Sequence, residues 1–259
     1  MTPLTTVMMP ARDAEATLHG AVESVLGQTV GDLELVVVDN CSRTPVADVL
    51  AGIRDTRLRI LRSERNLGVS GGRNAALRVA RSPLVSQLDA DDLWEPDYLE
   101  SIAPCFDDPA VGLAYCNALI LEHPTGHSDY IGDPSVHPLD RFPKIAEQCP
   151  VPCPTATMRT GALHALGGYP GWLHMTEDYF TYMSLARAGW RFAYVHRQLA
   201  RYRWPQAHRG MTYDKRLHAR WHLALWASFV ACHPLTPGPR RQLRRSVTAH
   251  VRRVLDLEP

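Results

Sequence analysis

The sequence predicts an α/β protein: a mostly parallel sheet with helices on both faces, followed by a C-terminal helical extension. Three observations carry that prediction. Short apolar, β-branched runs at 5–9, 33–38, 58–61 and 84–88 alternate with segments of helical periodicity. Two of those runs lead into carboxylates, Asp39 and Asp89, at the edge where α/β sheets bind ligands. Beyond residue 213 the pattern changes to basic, amphipathic helices. A chain of 259 residues has room for one large domain with such an extension.

The elements follow in order. Residues 5–9 (Thr-Thr-Val-Met-Met) form a strand, and 17–26 a helix with Leu18, Ala21, Val22, Val25 and Leu26 on one face. Residues 33–38 form a second strand. Thr44-Pro45 then opens a helix, with a capping hydroxyl and proline at its first position. A third strand at 58–61, a third helix at 72–80 and a fourth strand at 84–88 complete the alternation. Trp94-Glu95-Pro96-Asp97 reads as a helix start. Residues 123–154 are rich in Pro, Gly, Asp and His, and loops of that length in compact domains serve function or motion. A helix within 169–189, a short strand at 191–195 and two final helices end the chain.

Composition excludes several classes. The first residues lack the basic and apolar regions of a secretory signal, and the apolar stretch 217–232 is broken by His218, Arg220 and His222, so it does not span a bilayer. The six cysteines lack paired zinc spacing and read as free, buried thiols of a cytoplasmic protein. Net charge is +1, yet residues 197–259 hold thirteen Lys/Arg against three Asp/Glu. In that tail Leu243, Val247, Val251, Val254 and Leu255 recur at helical spacing among arginines. Such a helix either packs by its apolar stripe with a solvated basic face, or meets an anionic membrane surface or acceptor. It lacks the aromatic platform and motif of a nucleic-acid binder.

The chemistry concentrates at Leu88-Asp89-Ala90-Asp91-Asp92. Carboxylates crowded at a strand end repel one another unless a cation sits among them, and a hard divalent ion such as Mg²⁺ bound with substrate phosphates fits. A polar turn before the next helix is the plainer alternative. Asp39 offers an acceptor to a nucleobase or ribose, or serves the turn. Asn66, Gly68 and Arg73 lie in a glycine-rich helix entry suited to anionic groups, with Arg73 offering a charge-assisted bond to phosphate. Glu177 and Asp178 start a helical pattern, where the dipole stabilises acids and where one can act as general base. Asp178 is the choice for the base, with Glu177 supporting it.

These segments, in their order from about Thr5 to Arg203, resemble the family 2 glycosyltransferases, inverting nucleotide-sugar enzymes of the GT-A fold with a Rossmann-like sheet. The resemblance rests on 8–18 (Met-Met-Pro-Ala-Arg-Asp-Ala-Glu-Ala-Thr-Leu), 23–29 and Val37-Val38-Asp39-Asn40-Cys41-Ser42. Asn66-Leu67-Gly68 with Arg73-Asn74, Leu88-Asp89-Ala90-Asp91-Asp92, Gly167-Gly168-Tyr169 and Glu177-Asp178 complete it. It implies that Pro10 and Asp39 line the nucleobase site with Arg12 nearby, that Asp89 approaches the ribose beside Ala90, and that Asp91 ligates Mg²⁺ or Mn²⁺ on the diphosphate. Asp178 would deprotonate the acceptor hydroxyl, and His208 falls where members place a diphosphate or metal contact. The donor expected is a nucleotide-diphosphate sugar, UDP-linked first and GDP- or dTDP-linked next. The sequence departs from the family at Asn40, Cys41 and Asp13, where Asp, Gly and Asn are common. Residues 1–212 are read as the transferase domain, its donor half about 1–120 and acceptor half about 121–212, and 213–259 as the basic extension. The rival readings are a sugar-phosphate nucleotidyltransferase, which would want a basic glycine-rich loop after the first strand, and an inactive nucleotide-sugar binding protein.

Overall fold

A computed structural model describes residues 2–121, 142, 144–146, 149–203 and 215–254. The strand and helix runs of the first half form β1 (Thr5–Ala11), α1 (Leu18–Leu26), β2 (Leu33–Asn40), α2 (Val46–Val49), β3 (Leu58–Ser63), α3 (Gly68–Val79) and β4 (Leu84–Gln87). There follow β5 (Leu93–Trp94), α4 (Tyr98–Ile102), β6 (Val111–Leu121), β7 (Thr157–Arg159), α5 (Thr160–Ala165), α6 (Glu177–Arg187) and β8 (Arg191–Arg203). Two helices, α7 (Lys215–Cys232) and α8 (Pro237–Val254), form the C-terminal extension.

Among the described residues one sheet runs in the order β3-β2-β1-β4-β7-β6-β8-β5. Strands β3, β2, β1 and β4 pair in parallel, as do β6 and β8. Strand β7 is antiparallel to both its neighbours, and β5 to β8. Alternation along β1 divides the core: Val7 and Met9 face α1 and α4, while Met8 faces α3, α6 and α7. Both faces are therefore covered, as a parallel sheet requires.

Several local expectations shift. Helix α2 has four residues, Pro45 as its N-cap and no side-chain cap, so the Thr44 hydroxyl does not serve there. The Asp39 carboxylate accepts the Val46 N–H at 3.1 Å instead. Trp94 pairs in β5 rather than opening a helix, and α4 begins at Tyr98. Helix α6 occupies only the middle of 169–189, and β8 extends well past 195. Helix α3 starts at Gly68, four residues before the expected start, and runs through Gly71 and Gly72. A Cβ on Gly72 would stand 2.9 Å from the Pro10 Cβ, so this glycine lets α3 press against the end of β1. The six cysteines are free thiols, as expected, but Cys116 alone among them is buried.

Cys41 stands at φ 63°, in the left-handed region where glycine carries no steric penalty. The sequence departure from the family pattern thus has a backbone cost. Cys41→Gly is expected to raise unfolding stability by about 1 kcal/mol, measured by urea denaturation.

Candidate active site

Parallel strands deliver Pro10, Asp39 and Asp89 to one edge of the sheet, since all leave the carboxyl ends of β1, β2 and β4. Pro10 is half-buried against α3, and Arg12 is exposed just beyond β1. Asp39 is 1 % exposed. Its oxygens accept the Ser42 N–H at 2.9 Å and the Val46 N–H at 3.1 Å, and meet the Arg62 guanidinium. Burial alone would raise its pKa, but these bonds and the Arg62 charge outweigh it and hold the carboxyl below its ordinary value. These bonds fix the turn after β2 and hold the carboxylate at the ligand edge of the sheet.

Asn40 ties the end of β2 to the start of α3. Its amide N–H donates to Asn66 Oδ1 and to the Gly68 carbonyl, each at 3.1 Å, and its Oδ1 accepts the Leu67 N–H at 2.7 Å. Asn66 Oδ1 also accepts the Gly68 N–H at 2.9 Å. An aspartate could accept the Leu67 bond but could not donate the other two. Sequence reasoning named Asn66 and Gly68 but not Asn40, whose only signal was its departure from the family pattern.

Arg73 does not face an open phosphate site. Its side chain is 1 % exposed, with Nη1 on Glu177 Oε1 at 2.6 Å and Nη2 on Asp89 Oδ1 at 2.7 Å. The Cys153 thiol lies 3.0 Å from Nη2, and the Tyr169 ring faces the guanidinium at 5.6 Å. Burial works against this cation, but the neighbouring carboxylates, Asp89 first and Glu177 next, prevail and keep it protonated. Below it, Gln87 donates to the Cys153 carbonyl at 2.9 Å and to the Tyr182 hydroxyl, and accepts from the Tyr169 hydroxyl. Gln87, Cys153, Tyr169 and Tyr182 were not among the predicted site residues. They lie far apart in sequence and no spacing links them.

Arg73 thereby joins the two acidic motifs. Asp89 belongs to the strand end and Glu177 to the first turn of α6, 88 positions later. Thr176 precedes that turn at φ 63°, an uncommon conformation for a β-branched residue and one that aims the start of α6. Glu177 is buried under Arg73. Asp178 is half-buried and accepts the Tyr179 N–H at 2.7 Å. Loss of hydration pushes the Asp178 carboxyl up, and Arg73 only partly opposes it. Glu177 is raised by the same loss of hydration, with Arg73 opposing and Asp178 reinforcing.

The remaining carboxylates form an acidic patch. Asp92 is 1 % exposed, and its Oδ1 accepts the Arg203 N–H at 2.8 Å, whereas its Oδ2 has no hydrogen-bond partner among the described residues. Its carboxyl is pushed well up by burial and then by Asp91 and Asp89. Asp91 is exposed at the mouth, yet the crevice walls reduce its hydration and, with the Asp89 charge, push it up to about 6. Ala90 is buried between them. Among the described residues no group of three or more His, Cys, Asp or Glu side chains is arranged to hold a metal by itself. The donors present are hard carboxylate oxygens that Arg73 and Arg203 only partly balance, and these fit Mg²⁺ or Mn²⁺ if phosphate oxygens complete the shell. His208 lies outside the described residues.

Comparison with known proteins gives the family and the fold. The model of "Glycosyl transferase family 2" matches residues 6–163. The Escherichia coli UDP-Glc:alpha-D-GlcNAc-diphosphoundecaprenol beta-1,3-glucosyltransferase WfgD is 26 % identical over 184 residues, 71 % of this chain and 70 % of its own. The putative teichuronic acid biosynthesis glycosyltransferase TuaG of Bacillus subtilis is 36 % identical over 100 residues, 38 % of this chain and 40 % of its own. The crystal structure of Staphylococcus aureus TarS 1–349 in complex with UDP-GlcNAc has the same fold, with a TM-score of 0.74 and 17 % identity over 96 % of this chain and 72 % of that one. The mannosyltransferase PcManGT of Pyrobaculum calidifontis, in complex with GDP-Man and Mn²⁺, gives 0.73 and 18 % over 99 % of this chain and 74 % of its own. The sheet with its crossover helices is thus a GT-A fold, and the chain belongs to glycosyl transferase family 2.

Proposed function

We propose that this glycosyltransferase moves a sugar from a nucleotide-diphosphate donor, UDP-linked first and GDP- or dTDP-linked next, to an acceptor hydroxyl with inversion. One observation carries the reading: buried Arg73 holds the donor-side Asp89 and the first turn of α6 at a common centre. This supports Asp178, the neighbour of Glu177, as the residue on the acceptor side of the same crevice. Asp178 takes the proton of the acceptor hydroxyl as its oxygen bonds to the anomeric carbon. The bond from that carbon to the diphosphate oxygen breaks, and its electron pair leaves with the nucleotide. The raised carboxyl of Asp178 suits a base that must hold the proton it receives.

Asp91, with Asp89 beside it, would hold Mg²⁺ or Mn²⁺. Bound there, the cation would neutralise charge on the departing diphosphate. Pro10, Arg12 and the α3 entry at Asn66 and Gly68 border the nucleoside side, and Asp39 shapes that border through its turn. His208 is a further candidate contact to the diphosphate. Residues from about 1 to 120 form the donor half and those from about 121 to 212 the acceptor half, with 213–259 as an extension. The relatives named above act on a lipid-linked sugar or bind UDP- and GDP-sugars, which supports a donor of that class and a cytoplasmic enzyme working at an anionic membrane face. Among the described residues no helix is long and apolar enough to cross a membrane.

Calorimetry with UDP, GDP, dTDP and CDP, with and without Mn²⁺, tests the site. One nucleotide is expected to bind at least about tenfold tighter with metal, and Asp91→Ala to abolish that gain. Absence of binding by all four would overturn the crevice assignment. Metal-dependent nucleotide release with acceptor then separates an enzyme from a binding protein.

A further inference from the structure

The C-terminal extension contains a groove that the reaction does not use. Helices α7 and α8 together line an open groove of about 640 Å³, with Ala227 and Val230 on one wall and Val247 on the other. Arg240, Arg241 and Arg244 stand on its α8 rim. All three arginines are exposed, and none is ion-paired among the described residues. No Asp or Glu occurs anywhere in 215–254 to neutralise them. An apolar trough beside unpaired guanidinium groups is complementary to an amphiphile with a hydrocarbon chain and a phosphate head.

Helix α7 also reaches the rim of the reaction crevice, from another of its faces. Leu223 lines the groove and is 45 % exposed, an unusual position for a large apolar side chain. Two residues earlier on α7, Trp221 packs edge-on against His174 at 5.4 Å. His174 stands in turn beside Gly68 at the α3 entry, and on the chain it lies four residues before Asp178. Helix α7 therefore links the groove with the rim of the crevice. The groove has the volume of a single-ligand pocket, which suits one hydrocarbon chain.

We propose that the α7–α8 groove takes the hydrocarbon chain of one anionic membrane lipid, with Arg240, Arg241 and Arg244 on its phosphate. This deepens the membrane-face reading of the proposed function and rests on it. The occupant is a lipid drawn from the bilayer, so chain and phosphate are both required.

The test is cosedimentation of the full chain with vesicles, in 0.15 M salt, of pure phosphatidylcholine or of phosphatidylcholine with one third phosphatidylglycerol. The wild type is expected to bind the mixed vesicles at least tenfold more tightly than the neutral ones. Ala227→Trp fills the groove without changing charge, and Arg240→Glu with Arg244→Glu removes the phosphate contacts; each is expected to lower binding at least tenfold. Circular dichroism and nucleotide affinity should match the wild type, which separates loss of the site from loss of the fold. If Ala227→Trp is folded and binds as the wild type does, the groove is not the site and only electrostatic adsorption remains. If the wild type ignores anionic vesicles, the groove and the membrane-face reading both fall, while the nucleotide assignment stands on its own calorimetry.

Discussion

Asp178→Asn should lower kcat by about two to four orders of magnitude while leaving donor affinity within a few-fold of wild type. The amide keeps an oxygen to accept the Tyr179 N–H, so the first turn of α6 is preserved. What disappears is the proton acceptor. The same substitution should not destabilise the fold at pH 7. The folded-state pKa of Asp178 is raised, so ionisation is penalised in the fold, and stability falls as pH rises from its ordinary 3.8 through that raised value. Asparagine removes this penalty, and the melting temperature at pH 7 should equal or exceed that of the wild type. The pH profile of kcat gives a second readout. Its acid limb should lie above the ordinary aspartate value of 3.8, with activity rising as pH increases through it. A variant with near-normal kcat would remove Asp178 from the reaction.

Arg73→Met should cost about 3–5 kcal/mol of stability, because it leaves a buried carboxylate without its counter-charge. The Glu177 side chain is 7 % exposed and loses its 2.6 Å partner, whereas the Asp89 side chain is 31 % exposed and can turn to water. Most of the loss therefore comes from Glu177. Adding Glu177→Met should recover at least half of it, since an apolar pair avoids the unpaired charge. Activity should stay low in the double variant, because Asp89 and the start of α6 are then no longer tied together. Arg73→Lys should fail as well: one ammonium cannot occupy both positions that the guanidinium fork reaches. Thermal denaturation of wild type, Arg73→Met, Glu177→Met and the double variant closes the cycle. Full recovery of activity in the double variant would show that the bridge has no positioning role.

Much of the fold was legible because its signals are local. The β-branched run of β2 and the period of α1 appear in single windows of sequence, and their alternation leaves few topologies other than a parallel sheet. Strands β6 and β7 were not read. Strand β7 has three residues, and β6 mixes glycine and alanine with larger apolar residues, so neither presents a clear alternation. Both are defined by their neighbours: β7 closes the gap between β4 and β6 by pairing antiparallel to each. Helix α3 was read short because Gly71 and Gly72 lower helix propensity, a penalty accepted where the close approach of Pro10 leaves no space for a side chain.

The same division runs through the site. The sequence by itself singles out Asp89, Asp91 and Asp178 as candidates, because strand ends and helix starts are positions along the chain and the ordered motifs around them survive in one dimension. Only the tertiary structure decided what Arg73 does. From its place in a glycine-rich helix entry it reads as a ligand for phosphate, but burial removes it from water and makes Asp89 and Glu177 its obligatory partners. Likewise, the basic tail is visible as composition, whereas the groove exists only between α7 and α8. Charge pattern and periodicity are properties of sequence; desolvation and enclosure depend on which distant residues the fold brings together.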